Sequence, residues 1–341
     1  MKENQTALLS DPQRAISEAL TPEIAQDAAR TWQAEGATLR SIPAVQNFVY
    51  AVERDDGPAI LRFTHESHRS AQEVEAEVRW MQDLHERGLP VPEVRYSQNG
   101  ALVETADSSH GRFLVTCFKR LAGQAPDPTD LRVWNPSMFE QLGAVMARLH
   151  QAAYEAAWTP ASLARRSWRE ENVAQNFHFY VPADEKMVHR AFDRLLGELD
   201  LWPRARDSYG LIHADLNHAN FFITSGGLDI FDFDDSCYFW FAYDLVVPIF
   251  HFPAAAQPEF DAKAREALVA LLRGYESVRR LSTQWLETMP LLFKWRDLVT
   301  YGFFYQQLKI GNLPERLRTT FLSMRARIEA DRPIAEVGSA R

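Results

Sequence analysis

The sequence predicts an α+β protein with two lobes: a small antiparallel β-sheet lobe that carries one main helix, and a larger, mostly helical lobe. Strand-like segments cluster between residues 39 and 118, whereas amphipathic helical patterns dominate residues 137–330. The 341 residues, of which 46% are hydrophobic, can bury more than one core. We therefore expect an N-terminal helical extension over residues 1–36, the small lobe over 37–118 and the large lobe over 119–341.

Composition narrows the possible functions before any motif is considered. The formal net charge is −9 and no basic stripe is present, so a nucleic-acid partner is disfavoured. The two cysteines, Cys117 and Cys237, are too few for a disulfide framework or a cysteine metal cluster. The N-terminus lacks an apolar signal core, and the longest apolar stretch, Leu245–Ala256, is interrupted by two prolines and a histidine. We expect a cytoplasmic enzyme with no membrane partner.

The first elements of the chain are helices followed by strands. Thr21-Pro22-Glu23 predicts a helix start, with a capping hydroxyl, a proline in the first turn and an acid. We expect this helical extension to serve packing rather than to act as a lid. Leu39–Val52 and Ala59–Phe63 alternate as strands do, and a turn at residues 55–58 joins them. The turn within the first segment, residues 41–47, contains no glycine.

One long helix follows these strands. It is predicted over residues 70–87, because Ser70 and Glu73 form a capping box at its start. Glu73 is otherwise expected to be solvated. Glu77 lies inside the apolar stripe of the helix and needs a cationic partner, since an unpaired buried charge is costly. Arg62, on the preceding strand, is the candidate partner.

The rest of the chain is mostly helical. Phe113–Phe118 predicts a further strand. A strongly amphipathic helix begins at Ser137 and continues past His150, which is expected to have a structural role. Three further helices are predicted near the end of the chain, over residues 260–281, 284–310 and 314–330.

The stretch over residues 209–244 contains a predicted β-hairpin. Two short apolar runs, residues 221–223 and 228–233, flank the turn Ser225-Gly226-Gly227. Glycine favours such a tight connection because it reaches positive φ without steric cost.

The open end of this hairpin collects oxygen-bearing side chains. If Thr224 pairs with Gly227, Asn220 ends one strand beside the position where Asp232 ends the other. Asp215 lies five residues before Asn220, in a loop too short to travel far. The three side chains are therefore predicted to converge.

Phosphoryl transfer is the chemistry that uses such a set. A hard cation that bridges nucleotide phosphates needs oxygen ligands, and an aspartate must lie nearby to take the proton of the attacking hydroxyl. The spacing D-x-x-x-x-N, followed by an aspartate that closes a strand, is that of the kinase catalytic loop and metal-binding aspartate.

Other interpretations of the same residues stay open. The acidic groups could simply cap and solvate a hairpin. A metal-dependent hydrolase could use His213, Asp215, His218 and Asp232 as ligands. A phosphatase with an aspartate nucleophile could use Asp232 and Asp234, although such enzymes usually place the paired aspartates near the start of a doubly wound domain.

The segment resembles the superfamily of aminoglycoside phosphotransferases, choline kinases and type II homoserine kinases, which shares the protein-kinase-like fold. The family's H-G-D-x-x-x-x-N motif is matched by residues 213–220, its I-D-x-x-D motif by residues 230–235, and its P-x-Y-D-L-A motif by residues 241–245. Ala214 replaces the usual glycine, a departure that we expect to leave the chemistry unchanged. For this site the resemblance implies a catalytic base at Asp215, metal ligands at Asn220 and Asp232, and loop supports at His213 and Asp244.

The resemblance also implies a nucleotide site. Arg62, braced by Glu77, would hold the α- and β-phosphates as the Lys–Glu pair of kinases does. Ser41 or Gln46 would contribute a phosphate contact where a glycine-rich loop is absent, and the backbone of Cys117 to Lys119 would contact the base. Asp234 would support Mg²⁺ or bind a second ion. The implied phosphate donor is ATP or GTP.

The implied acceptor is a hydroxyl of a small molecule. Residues 234–244 leave no room for an activation loop, which disfavours a regulated protein kinase. Amino sugars, amino alcohols and hydroxy amino acids all fit as acceptors. The side chains Trp295, Arg296, Tyr301 and Tyr305 either border the acceptor or pack in the core. A protein Ser/Thr kinase of the same fold and a nucleotide-binding pseudoenzyme remain alternatives.

Overall fold

A computed structural model describes residues 8–34, 36–156, 158–159, 163–250 and 260–335 of the protein. Part of the apolar stretch noted in the sequence, residues 251–256, lies outside these ranges.

Two short helices begin the described chain: α1 (Asp11–Ala19) and α2 (Pro22–Thr31). The predicted helix start is confirmed, because the Thr21 hydroxyl accepts a hydrogen bond from the Ile24 N–H at 3.3 Å. This cap ends the turn between the two helices.

Six strands form one antiparallel sheet: β1 (Arg40–Ile42), β2 (Phe48–Arg54), β3 (Gly57–His65), β4 (Val94–Arg95), β5 (Glu104–Ser108) and β6 (Gly111–Lys119). Their order is β1-β2-β3-β6-β4, and β5 forms a hairpin with β6. Helix α3 (Ala71–Glu86) connects β3 to β4, and its capping box between Ser70 and Glu73 is present as predicted. The sequence did not reveal β4 and β5, which are short.

The two faces of this sheet contact different parts of the protein, since alternate residues of a strand point to opposite sides. Leu61, Phe63 and Phe113 form a core with Trp32 and the N-terminal helices. On the other face Arg62 lies over the ring of Phe118, with 5.3 Å between the guanidinium carbon and the ring centroid. The N-terminal extension therefore packs behind the sheet.

The N-terminal extension also contacts the C-terminal helices. The backbone N–H of Ser10 donates to the carbonyl of Gln307, and the N–H of Lys309 donates to the carbonyl of Leu8, both at 2.8 Å. Asp11 forms an ion pair with Lys309 at 2.8 Å. One segment thus touches both the sheet and the helical part of the chain.

The helical part begins with α4 (Pro136–Ala156), α5 (Asn172–Gln175), α6 (Phe177–Tyr180) and α7 (Lys186–Asp200). After an intervening pair of two-stranded sheets it continues with α8 (Ala242–Phe250), α9 (Phe260–Glu276), α10 (Thr283–Gln307), a 3-10 turn (Ile310–Asn312) and α11 (Glu315–Glu329). The three helices predicted near the end of the chain are confirmed as α9, α10 and α11. Among the helices in the described ranges, none has the length and apolarity needed to cross a membrane.

The two small sheets contain β7 (Tyr209–Ile212) paired with β10 (Cys237–Trp240), and β8 (Phe221–Thr224) paired with β9 (Gly227–Ile230). Thr224 pairs with Gly227, so the predicted register of the hairpin is confirmed. One step beyond the last strand pair, the Phe231 N–H donates to the Asn220 carbonyl at 3.0 Å. Asn220 and the residues after Phe231 therefore end the hairpin side by side.

Candidate active site

A buried aspartate holds the loop that carries Asp215. Asp244, in the first turn of α8, accepts the N–H of His213 at 3.0 Å and the N–H of Ala214 at 2.7 Å. His150 Nε2 lies 2.9 Å from the same carboxylate, and burial lowers the pKa of this histidine although Asp244 opposes the shift. These are the contacts expected of a residue that supports the loop.

The other predicted support, His213, joins the loop to the second strand of the hairpin. Its Nε2 lies 3.0 Å from the carbonyl oxygen of Phe231, and its side chain is fully buried. The loop that carries Asp215 is thus fixed to the residue that precedes Asp232.

Asp215 lies at the centre of a set of converging donors. Its Oδ2 accepts from Asn217 Nδ2 and from Asn220 Nδ2, each at 2.9 Å. Asn220 Nδ2 also donates to the Asp215 backbone carbonyl at 2.8 Å. Oδ1 forms a short ion pair with Arg296 of α10. The Asp215 side chain is 21% exposed, so a substrate can still reach it.

Asn220 and Asp232 lie at neighbouring ends of β8 and β9. The amide nitrogen of Asn220 points to Asp215, which leaves its oxygen as the atom suited to a cation. Asp232 has a left-handed backbone, with φ of 64°, and its side chain is 47% exposed. Desolvation raises the pKa of Asp232 to about 7, Arg62 opposes the rise, and Asp234 and Glu77 add to it. An amide oxygen and a carboxylate are ligands that Mg²⁺ and Ca²⁺ accept.

Arg62 and Glu77 form the predicted pair. Two guanidinium nitrogens of Arg62 donate to the two oxygens of Glu77 at 2.7 and 2.8 Å, and both side chains are buried. Such a two-point contact fixes the orientation as well as the charge of the arginine. Arg62 NH1 is also 3.8 Å from Asp232 Oδ1. The pair therefore borders the same site as the hairpin.

Asp234 lies among polar and charged side chains. It is buried, and its Oδ2 accepts from Asn47 Nδ2 at 3.0 Å and lies 2.6 Å from His68 Nε2. Burial opposes the shift, but His68, Arg69 and Arg62 hold the pKa of Asp234 well below its usual range. Ligand atoms of His68, Asp234 and Asp235 lie within 4.8 Å of one another. Because Arg69 also contacts both carboxylates, positive charge is already supplied there.

The structure corrects the prediction for Ser41. Ser41 pairs with Tyr50, Tyr50 with Leu61, and Leu61 with Cys117. Residues paired in this way point to the same side of a sheet, here the side that packs on the N-terminal helices. The Ser41 side chain therefore faces away from Arg62, and residue alternation within the short β1 is the reason.

The base-contact prediction is corrected for Cys117 as well. Its backbone lies between Leu61 on β3 and Arg95 on β4, so neighbouring strands flank it on both sides, and its side chain is fully buried. Lys119 is exposed at the end of β6, where its N–H donates to the Glu93 carbonyl at 2.9 Å. Of the two residues, only Lys119 lies where the strand pairing ends.

Several arginines at the site were not identified as functional residues from the sequence. Arg69 is 1% exposed and binds Glu171 at 2.8 Å and Asp235 at 3.2 Å. Arg165 is buried and donates to the backbone carbonyls of Glu73, at 3.0 Å, and of Ser236 and Asp234. Their partners lie 69 to 166 residues away in the chain, so no local pattern marks them.

Glu73 is a further correction. It is 8% exposed rather than solvated, and its carboxylate pairs with Arg166 as well as capping α3. The first turn of a helix is usually exposed to solvent. Here the segment that carries Arg166 covers the first turn of α3, so Glu73 is buried.

Comparisons with known proteins agree with this geometry. The model of the phosphotransferase enzyme family matches residues 38–281. Amicoumacin kinase of Bacillus subtilis (strain 168) is 30% identical over 300 residues, which cover 87% of this chain and 88% of that protein.

Two solved structures extend the comparison to the whole fold. Amicoumacin kinase hAmiN, in complex with AMP-PNP, Ca²⁺ and Ami, superposes with a TM-score of 0.86 at 26% identity and covers 95% of this chain and 97% of that chain. A microcompartment-associated aminopropanol kinase gives a TM-score of 0.72 at 27% identity, with 91% and 96% of the two chains covered. The predicted two-lobed, protein-kinase-like α+β fold is confirmed, as is the predicted kinase activity toward a hydroxyl group of a small molecule. The chain belongs to the phosphotransferase enzyme family.

Proposed function

We propose that this phosphotransferase transfers the γ-phosphate of ATP to the hydroxyl of a small amino alcohol or a related amine-bearing compound. The observation that carries the proposal is the hydrogen bond between the side chains of Asp215 and Asn220. The Phe231 N–H donates to the Asn220 carbonyl, and this bond places Asp232, the next residue, beside them. The solved relative that contains AMP-PNP and Ca²⁺ supports an adenine nucleotide with a divalent cation. GTP is the alternative donor.

The acceptor class is supported by the charges beside Asp215. Partial burial and the carboxylates of Asp215 and Asp234 raise the pKa of Asp235, Arg69 opposes the rise, and the Asp235 side chain is 38% exposed. Arg69 and Arg296 already pair with these carboxylates, so the part of Asp235 that stays exposed is what could attract a cationic group of the acceptor. The name of the aminopropanol kinase indicates the same kind of acceptor.

Each site residue has a proposed role. Asp215 orients the acceptor hydroxyl and takes its proton as the oxygen attacks phosphorus. Arg62, held by Glu77, neutralises charge on the non-transferred phosphates. Asn220 and Asp232 would hold Mg²⁺, which shields the phosphate oxygens when bound. Asp234 keeps Asn47 and His68 next to this site through its hydrogen bonds.

The proposal also divides the chain. Residues 37–118, with the sheet and α3, form the nucleotide-binding lobe, and the backbone near Lys119 borders the base. Residues 119–341 carry Asp215 and the acceptor site. Residues 1–36 form the N-terminal extension, whose described helices pack behind the sheet.

Asp215→Asn tests the proposal. The variant keeps the side chain's shape but removes the proton acceptor, so turnover of ATP with aminopropanol or amicoumacin should fall by about 10²- to 10⁴-fold. A thermal shift with ATP and Mg²⁺ should remain. Asp229→Asn, on β9 of the same hairpin, is the matched control and should leave turnover unchanged. Wild-type turnover in Asp215→Asn would exclude this base, and ATP binding without product from the wild-type protein would instead indicate a binding module.

A further inference from the structure

We propose that Arg296 is a positioning residue for phosphoryl transfer: it fixes the orientation of the Asp215 carboxylate relative to the loop that carries it. This inference rests on the proposed function, because it assigns Asp215 as the base. Arg296 lies on α10, 81 residues from Asp215, and its side chain is 13% exposed.

The argument starts with the two oxygens of Asp215. Oδ2 accepts two amide hydrogen bonds, from Asn217 and Asn220 of the same loop. A carboxylate oxygen has about two lone-pair directions, so those amides use the capacity of Oδ2. Oδ1 is the atom that Arg296 holds, so the two oxygens of the carboxylate are fixed by different parts of the chain, the loop itself and α10.

Arg296 also grips the backbone of the same loop. Its NH1 donates to the Ala214 carbonyl at 3.3 Å and to the Tyr243 hydroxyl at 3.4 Å. The N–H of the same residue, Ala214, donates to the Asp244 carboxylate at 2.7 Å. Asp244 and Arg296 thus both hold the backbone of this loop at Ala214. Arg296 in addition binds the Asp215 carboxylate.

A planar guanidinium suits this task. It presents several donors in a fixed fork, so one side chain can bind a carboxylate oxygen, a carbonyl and a hydroxyl at set angles. In phosphoryl transfer through a loose transition state, the protein contributes mainly position and charge. A displacement of the reacting group by about 1 Å can lower the rate by about 100-fold.

The test is a double-mutant cycle. Arg296→Gln should lower kcat by about 100-fold with aminopropanol or amicoumacin as acceptor, while KM for ATP changes less than about threefold. In the Asp215→Asn background the same substitution should cause almost no further loss, because Arg296 acts through Asp215. ATP hydrolysis to water, measured in parallel, should follow the same pattern, since water then takes the place of the acceptor hydroxyl.

Arg327→Gln is the matched control. Arg327, on α11, pairs with buried Asp297, the residue that follows Arg296 on α10, so its loss should lower stability while kcat stays at the wild-type value. If Arg296→Gln does not fold, Arg296→Lys in the same cycle replaces it, because it keeps the charge but not the fork. Guanidinium ion added to Arg296→Ala should restore part of the lost kcat.

Two results would overturn the inference. One is an Arg296→Gln or Arg296→Lys variant whose kcat stays within threefold of wild type. The other is a loss that multiplies with that of Asp215→Asn, which would mean that Arg296 acts on the substrate and not through the base. A failure of the proposed function is distinguishable, because then Asp215→Asn itself would retain turnover.

Discussion

At the scale of single residues, two of the four described non-glycine residues with positive φ, Ala214 and Asp232, lie at the candidate site. Both have left-handed φ angles, 67° and 64°, which cost an L-residue about 1 kcal/mol or more. The two residues lie next to the proposed base and at the proposed metal ligand. The Asp244 carboxylate supports this geometry by accepting the Ala214 N–H. The glycine that the related motif has at position 214 is explained by this φ angle.

The first prediction at this scale concerns stability. Ala214→Gly should raise the free energy of unfolding by about 0.5 kcal/mol, because relief of the left-handed strain outweighs the greater freedom of glycine in the unfolded chain. Urea unfolding measures the change, and turnover should stay within about twofold.

Ala219→Gly is the control for this variant. Ala219 lies in the same loop and does not have a positive φ angle, so glycine should lower stability there. A loss of stability in Ala214→Gly equal to that in Ala219→Gly would show that the left-handed backbone carries no strain.

At the scale of elements, the close crossing of α4 and α9 determines where His150 lies. A Cβ atom added at Gly143 would lie 1.9 Å from the Leu271 carbonyl oxygen, and one at Gly274 would lie 1.7 Å from the Glu140 carbonyl oxygen. The two backbones are therefore in contact. The same pair of helices brings His150 Nδ1 to 2.9 Å from the Tyr275 hydroxyl, while its other ring nitrogen contacts Asp244.

Gly274→Ala should consequently lower the free energy of unfolding by about 3 kcal/mol or more, since added atoms in a packed interface force the backbones apart. Chemical denaturation followed by circular dichroism measures the loss. Gly197→Ala, in α7, is the matched control: nothing lies within 4 Å of its added Cβ, and alanine should stabilise that helix by up to about 1 kcal/mol. Equal effects of the two changes would contradict a backbone contact at Gly274.

The sequence predicted helix starts and strand pairing correctly where the interacting residues are close together in the chain. The cap at Thr21, the capping box at Ser70 and the Thr224–Gly227 register depend on residues within a few positions of one another, and all three are confirmed. The face of Ser41 was not readable, because β1 has three residues and its alternation depends on pairing with β2. Short strands carry too few residues to show their period.

At the scale of the whole molecule, buried arginines join the sheet side to the helical side. Arg165 donates to the Glu73 carbonyl in the first turn of α3 and to two carbonyls near the hairpin end. Arg69 binds Glu171 from the opposite direction, at 2.8 Å. These contacts hold α3, and with it Glu77 and Arg62, in register with Asp232.

Arg165→Met tests this link. Three buried carbonyls would lose a charged donor, so stability should fall by about 3 kcal/mol and KM for ATP should rise by about tenfold as α3 loosens. Thermal unfolding and ATP titration measure the two effects. Arg169→Met is the control, because Arg169 pairs with Asp200 at the surface, where its loss should matter little. Indistinguishable variants would mean that Arg165 does not join the two sides.

These long-range contacts are also what the sequence could not show. The proposed base and metal ligands lie within 18 residues of one another, so their spacing was informative. Arg296, Arg165 and Arg69 reach the site only through the tertiary fold. Their burial is possible because each has acidic or carbonyl partners, and those partners are supplied by distant parts of the chain.

The segment before the sheet is bonded to Gln307 and Lys309 at the end of the helical part. These bonds should limit how far the two sides of the proposed nucleotide cleft can move apart. Rotation of the sheet relative to the helices would have to break these bonds of the N-terminal segment. It would also have to break the hydrogen bonds of Arg165 near α3. If these contacts persist when a ligand enters the cleft, we expect little binding energy to be spent on domain closure. We therefore expect the segment before the sheet to preorganise the enzyme, although it is neither the proposed base nor a proposed metal ligand.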